Sequence, residues 1–373
     1  MRTVGTVARG VRAPIIRPGD NLVKIVADCI EATVKNENIK LKENDIVAVT
    51  EAIVAKSQGN FATIDNIAKD VRTKLGGGTI GVVFPILSRN RFSSILRGIS
   101  RGADKIVIQL SYPFDEVGNP LVSIDKLYDL GIFQFGKSYT AKEFTDLVKD
   151  VTHPFTGVNY IEMYKQISEC DCEIILSNDP TEILKYTKKV INADIHSRFR
   201  TKKLLESNGA EKVISLHEIL NKSVDGSGYH EDYGVLGSNL STDEKVKLVP
   251  RDTKTFVNNL QKELLSRLGV KLECMVYGDG AFKDPVGGIW ELADPVVSPA
   301  YTDGLLGTPN EIKLKYLADN KIANLTGEKA VEAMKKLINE KESNLVNKAE
   351  SLGTTPRRIT DLVGSLCDLT SGS

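Results

Sequence analysis

Two aspartates, Asp279 and Asp284, stand five residues apart in a glycine-rich run, Gly278-Asp279-Gly280-Ala281-Phe282-Lys283-Asp284-Pro285-Val286-Gly287-Gly288. An apolar, strand-like stretch, Lys271 to Tyr277, leads into it. Hard carboxylates at a strand end suit Mg2+ or Mn2+, and glycine lets the backbone approach a ligand closely. Glu291, Asp294 and Asp303 follow. A Gly/Asp turn with solvated acids has the same composition, so the run alone does not decide between them. Tyr229 to Asn239 likewise gathers Glu231, Asp232, glycines and the amide of Asn239, which suits phosphate or metal contact as well as it suits a surface loop. In Thr50-Glu51-Ala52-Ile53-Val54-Ala55-Lys56-Ser57-Gln58-Gly59 the end of a strand delivers Lys56 close to a glycine. Asp115-Glu116-Val117-Gly118-Asn119 reads as a turn with acidic residues.

Other templates fail. There is no G-x-x-x-x-G-K-[ST]. Gly76-Gly77-Gly78 precedes a strand-like run instead of opening a helix, so it reads as a connector. No G-x-S-x-G occurs, and His153, His196, His217 and His230 have no metal-ligand spacing. The 373 residues carry 49 Lys plus Arg and 49 Asp plus Glu, so no global basic field favours nucleic acid or an anionic membrane. Arg198-Phe199-Arg200 with Lys202-Lys203 reads as a solvated helix face. Five cysteines, with no C-x-x-C, point to reduced thiols and a cytoplasmic protein. Neither a signal-peptide core nor a stretch of the roughly 20 apolar residues that span a bilayer is expected.

The elements around these residues read as mixed α/β. Apolar spacing predicts helices over 21–32, 64–75, 91–101, 181–190, 200–207, 216–221, 253–268, 311–319 and 328–349. Strands are expected at 45–49, 79–84, 105–110, 173–176, 212–214 and 271–277. The alternating block at 158–222 suggests an inserted α/β subdomain. It would follow an N-terminal α/β part (1–157) and precede a glycine-rich, site-bearing part (223–320) and a helical C-terminal region (321–373).

Four segments, read together and in order, resemble the GTP-dependent gamma-glutamyl ligases that add glutamate to coenzyme F-420 precursors. Gly10 to Leu22 is similar to a family stretch in which a Pro-Leu-Ile run before a Gly-Asp turn touches the guanine nucleotide, which places Pro14, Ile15 and Ile16 there. Asp45 to Gly59 is similar to the family's strand, polar turn and Lys-Ala-Glu-Gly run, with Lys56 on a nucleotide-contacting lysine and Thr50, Glu51 and Ala52 on the turn. Asp232 to Leu240, then Leu248-Val249-Pro250-Arg251-Asp252, looks like the family's Asn-Ala-Gly-Ile-Asp-x-Ser-Asn-Val segment and its Leu-Pro-x-Asp-Pro. Ser238 and Asn239 then fall on the nucleotide-binding Ser-Asn pair, whereas the family's metal-binding aspartate falls on Leu236, for which Asp232 is a substitute. Glu273 to Phe282 matches a strand ending Thr-Asp-Thr-x-Gly-Arg and puts Asp279 on the second metal aspartate.

The resemblance implies an α+β or mixed α/β ligase-like fold, enlarged relative to the archaeal members. It implies GTP as substrate, Mg2+ or Mn2+ held by Asp279 with Asp232 or Asp284, Lys56 and Asp279 as catalytic residues, and a homodimer. The expected reaction joins an amino acid to a carboxylate acceptor through an acyl phosphate. The alternatives are another nucleotide-dependent ligase or phosphotransferase on the same scaffold, or a non-catalytic ligand-binding relative.

Overall fold

The structure, a computed structural model, describes residues 5–278, 281–283, 290–292, 299–307, 312–345, 347–351 and 358–371, with the backbone path alone at 281–283 and 290–292. Asp279 and Asp284 lie outside the described residues.

The chain begins with α1 (Leu22–Asn36), whose N-terminal cap is the Asn21 side chain accepting from the Lys24 N–H at 3.1 Å. Next come β1 (Ile46–Thr50), α2 (Glu51–Ser57), β2 (Phe61–Thr63) and α3 (Ile64–Leu75). Thr63 and Asn66 cap α3 reciprocally, and Ile64, Ile67, Val71 and Leu75 form its buried face. The chain continues through β3 (Thr79–Val83), α4 (Phe92–Gly102), β4 (Lys105–Leu110), α5 (Ile124–Asp129), β5 (Tyr139–Thr140), α6 (Ala141–Val148) and α7 (Tyr160–Ile167). After these come β6 (Asp171–Leu176), β7 (Lys189–Asn192), α8 (Arg198–Ser207) and β8 (Lys212–Ser215).

One six-stranded sheet takes the order β5-β6-β4-β3-β7-β8, parallel throughout except for β5. The near-continuous apolar runs of β3 and β4 suit central strands covered on both faces. Ile80, Val82, Ile106 and Ile108 face the larger core with α3 and α4. Val83, Val107 and Val190 face the other side, with Leu205 of α8 and Ile183. The strands of 158–222 therefore belong to a sheet that also draws on 79–110, with β6 paired to β4 and β7 to β3. A boundary at 157/158 divides this sheet, so that stretch is no self-contained insert.

The remainder supplies β9 (Asn239–Thr242), β10 (Lys245–Lys247), α9 (Thr253–Leu268), β11 (Glu273–Tyr277), β12 (Ala281–Lys283), β13 (Trp290–Leu292), β14 (Ala300–Tyr301), α10 (Leu314–Asn320), α11 (Gly327–Asn339) and α12 (Ile359–Ser371). A second sheet, β1-β11-β14, pairs β1 and β11 in parallel. Leu22 and Val26 of α1 and Val257, Leu260 and Leu264 of α9 cover one face. Ile359, Val363 and Cys367 of α12 pack on Met275 and Tyr277 from the other. A third sheet, β2-β10-β9, is antiparallel, and β12, inside the glycine-rich run, pairs with β13, which follows that run.

Three expected helices change. Residues 181–190 form a 3-10 turn, Pro180–Lys185, and then β7, because β3 offers Val190 and Ile191 a parallel partner. Residues 216–221 keep only a 3-10 turn, Leu216–Glu218, since Leu220 turns to positive φ and donates its N–H to Asp70 at 2.7 Å. The helix expected over 328–349 ends at Asn339, where the apolar spacing lapses between Ile338 and Leu345.

Candidate functional site

Parallel pairing of β1 with β11 sets Thr50 opposite Tyr277. The chain that leaves β11 toward Asp279 thus starts beside the N-terminus of α2, at the carboxyl end of both strands. Thr50 caps α2, its Oγ1 accepting from the Ala52 N–H at 3.4 Å. Lys56 lies in the last turn of this helix and not at a strand end, because Ala52 to Ala55 coil instead of extending. Its side chain is half-buried, and among the described residues it forms no ion pair. Glu51 is buried at 8% exposure.

The N-terminal segment docks on the far end of α2. The Gly19 N–H donates to the Ser57 carbonyl at 2.8 Å, and Asp20 accepts from the Arg17 N–H at 2.6 Å, so the Arg17–Asp20 turn is seated there. The three expected nucleotide contacts diverge. Ile16 belongs to the core with Leu22, Val49 and Val54, whereas Ile15 is 80% exposed. Pro14 borders an open groove of about 440 Å³ along α1, with Arg12, Asp28 and Thr33.

Asn60, fully buried, ties the remaining segments together. Its amide donates to the carbonyls of Tyr229 (3.1 Å) and Val249 (2.7 Å), and its oxygen accepts from the Tyr229 N–H at 3.0 Å. Gln58 exchanges two hydrogen bonds with the Arg251 backbone, the Arg251 N–H donating at 2.8 Å. The Arg251 guanidinium lies 4.6 Å over the Tyr229 ring, a cation–π contact. No spacing rule marks Asn60, Gln58 or Arg251; the one local signal is Gly228, where a Cβ would sit 2.5 Å from the Asn60 oxygen. In the adjoining loop, His230 Nδ1 accepts from the Asp232 N–H at 3.2 Å, and burial holds its imidazole below the ordinary histidine pKa. The Asp232 side chain is exposed.

Asn239 opens β9, opposite Lys247 of β10, which in turn pairs with Phe61 of β2. Two strand spacings, roughly 10 Å, separate Asn239 from Phe61. Leu236 is 2% exposed and packs into the large core, so the position that is an aspartate in the resembling ligases offers no oxygen. Ser238 is equally buried, and its hydroxyl has no partner among the described residues. Among those residues no three His, Cys, Asp or Glu side chains stand close enough to hold a metal ion. Of the expected ligands only Asp232 is described, and alone it does not make a divalent-cation site.

The structure therefore brings Lys56, the Arg17–Asp20 turn, Tyr229 to Asp232 and Leu248 to Arg251 around one turn, residues 57–61, with Thr50 at the opposite end of α2 and Asn239 two strands away. It turns Ile16, Glu51, Leu236 and Ser238 inward. Among the described residues no helix is long and apolar enough to cross a membrane. A search of the curated proteins finds no match. A family model described as F420-0:gamma-glutamyl ligase matches residues 10–373, and the chain belongs to that family of amino-acid ligases.

Proposed function

We propose that this enzyme is a GTP- and divalent-metal-dependent acid–amino-acid ligase that adds a glutamate-like amino acid to a carboxylate acceptor such as a coenzyme F-420 precursor. The observation that supports the reading is the convergence on the 57–61 turn of the Arg17–Asp20 turn and of residues 249–251, which lie in stretches far apart in sequence that resemble parts of the ligase family. An acceptor carboxylate oxygen attacks the γ-phosphorus of GTP, GDP leaves, and an acyl phosphate forms. The unprotonated amine of the amino acid then attacks the acyl carbon, phosphate departs, and the nitrogen releases a proton to solvent. Phosphoryl transfer asks a protein chiefly for positioning and charge neutralisation.

Lys56 supplies charge. It sits in the last turn of the helix that follows β1, with no carboxylate to neutralise it among the described residues. Asn239 supplies an amide for the nucleotide. Bound Mg2+ or Mn2+, held by Asp279 with Asp232 or Asp284, would screen the phosphate charge. The five free thiols agree with a reducing, cytosolic setting. Calorimetric titration of GTP and ATP, with and without Mn2+, tests the reading. GTP binding that needs metal and vanishes in Asp279→Ala supports it, and absence of binding by either nucleotide with metal present overturns it.

A further inference from the structure

The six-stranded sheet has a feature that the ligase reading does not use. From β3 the chain runs through α4 to β4 on one side, and from β7 through α8 to β8 on the other, while β3 and β7 are neighbours. The strand order therefore reverses between them, and in open parallel sheets ligands bind outside the carboxyl ends at such a point.

Both helices that start at this crevice, α4 with 11 residues and α8 with 10, lack a side-chain cap hydrogen bond and have no acid in the first turn. The N–H groups of Arg198, Phe199 and Arg200 have no acceptor among the described residues. Two arginines in a first turn oppose the helix dipole unless an anion lies there. A second observation comes from the base of the crevice. There a small cavity of about 20 Å³ lies between Ile86, after β3, and Ile195, after β7. Its wall also carries Arg91, 5% exposed, and Ser238, whose buried hydroxyl has no partner among the described residues.

We propose that this crevice is a second ligand site, distinct from the Lys56 cluster, which takes the phosphate or carboxylate group of a small molecule between the N-termini of α4 and α8, with Arg198 and Arg200 as its cationic wall. The turn from β3 to α4, residues 84–91, contains no glycine, so a dinucleotide pyrophosphate has no close backbone approach and a single terminal anion fits better. The nearby acids are already engaged. Glu116 accepts from the N–H groups of Ile195 and His196, and Asp194 from the Ser197 N–H and the Thr201 hydroxyl. Burial and the adjacent Asp194 push the Glu116 carboxyl up to about 8, so below that pH it does not repel an anion.

The test is titration of metal-free, full-length protein with inorganic phosphate and, separately, glutarate, followed by calorimetry and by hydrogen exchange of peptides covering 85–95 and 193–201. Binding of either should slow exchange in both peptides, and whichever anion binds names the ligand's group. Replacing Arg198→Gln and Arg200→Gln together should weaken it by roughly tenfold or more, since each charge-assisted contact is worth about that factor. In Lys56→Ala the protection of the 85–95 and 193–201 peptides should persist, whatever phosphate the Lys56 cluster itself releases. Failure of both anions to bind, or binding that survives the arginine changes and is lost in Lys56→Ala, overturns the proposal.

Discussion

Asn60 and Tyr229, 169 residues apart, hold each other reciprocally, amide to carbonyl at 3.1 Å and amide oxygen to N–H at 3.0 Å. With the bond to Val249, this buried amide is the fastener between the turn after α2 and two segments from the other half of the chain. Asn60→Ala strands the buried Val249 carbonyl and the partly buried carbonyl and N–H of Tyr229, and should cost roughly 2–3 kcal/mol, at about 1 kcal/mol each or somewhat less. Asn60→Asp should cost more, because a carboxylate would face the two carbonyl oxygens. Urea midpoints for the two variants decide this. A loss under about 1 kcal/mol in either would show that the turn is held by something else.

Much of the scaffold was legible from periodicity, and the reason is local. The runs of β3 and β4 and the faces of α3 and α9 carry their burial pattern in consecutive residues. By contrast, Thr181 to Val190 has helical spacing, and only the neighbouring β3 makes a strand of its end. The four ligase-like segments were visible as motifs, but Asn60 acts across 169 and 189 residues, and its one trace, the close approach at Gly228, is as remote in the chain. Glu116 read as a turn acid for the same reason, since its partners Ile195 and His196 lie 79 and 80 residues on.

Lys56 should be a functional residue with little structural weight. Its side chain is half-buried in the last turn of α2, and no ion pair is lost on its removal among the described residues. Lys56→Ala should therefore unfold within about 0.5 kcal/mol of wild type. Its GTP affinity should fall by roughly tenfold or more, the loss of one charge-assisted contact to phosphate. A variant that binds GTP normally would remove Lys56 from the nucleotide site.

Gly98 of α4 packs directly on Ile67 of α3, and an added Cβ would lie 2.6 Å from both the Cβ and Cγ2 of Ile67. Two effects compete in Gly98→Ala. Alanine is the better helix former by about 1 kcal/mol, whereas overpacking a close helix pair costs about 1–3 kcal/mol. Both groups that collide are stiff, one branched at Cβ, so packing should win and the variant should lose roughly 1–2 kcal/mol. Gly98→Ala with Ile67→Ala should then lose less than the sum of the two single changes. Strict additivity would mean that α3 and α4 separate without strain.

Glu116 should make stability fall with rising pH. Its carboxyl is moved from an ordinary 4.5 up to about 8, first by burial and then by Asp194. Below 4.5 the folded and unfolded chains both hold this proton. Between 4.5 and 8 the unfolded chain gives it up while the folded chain keeps it, so the folded state loses ground progressively; above 8 the loss is complete. Glu116→Gln stays neutral and escapes this. Asp194 and His196 face position 116 in both proteins, so the difference between them reports Glu116 together with its effect on these two neighbours. Relative to wild type, the variant should gain roughly 2 kcal/mol or more between pH 5.5 and pH 8.5, measured by urea unfolding at each pH. Parallel pH profiles would mean that Glu116 is ionised throughout and that the tie to Ile195 and His196 is an ordinary carboxylate cap.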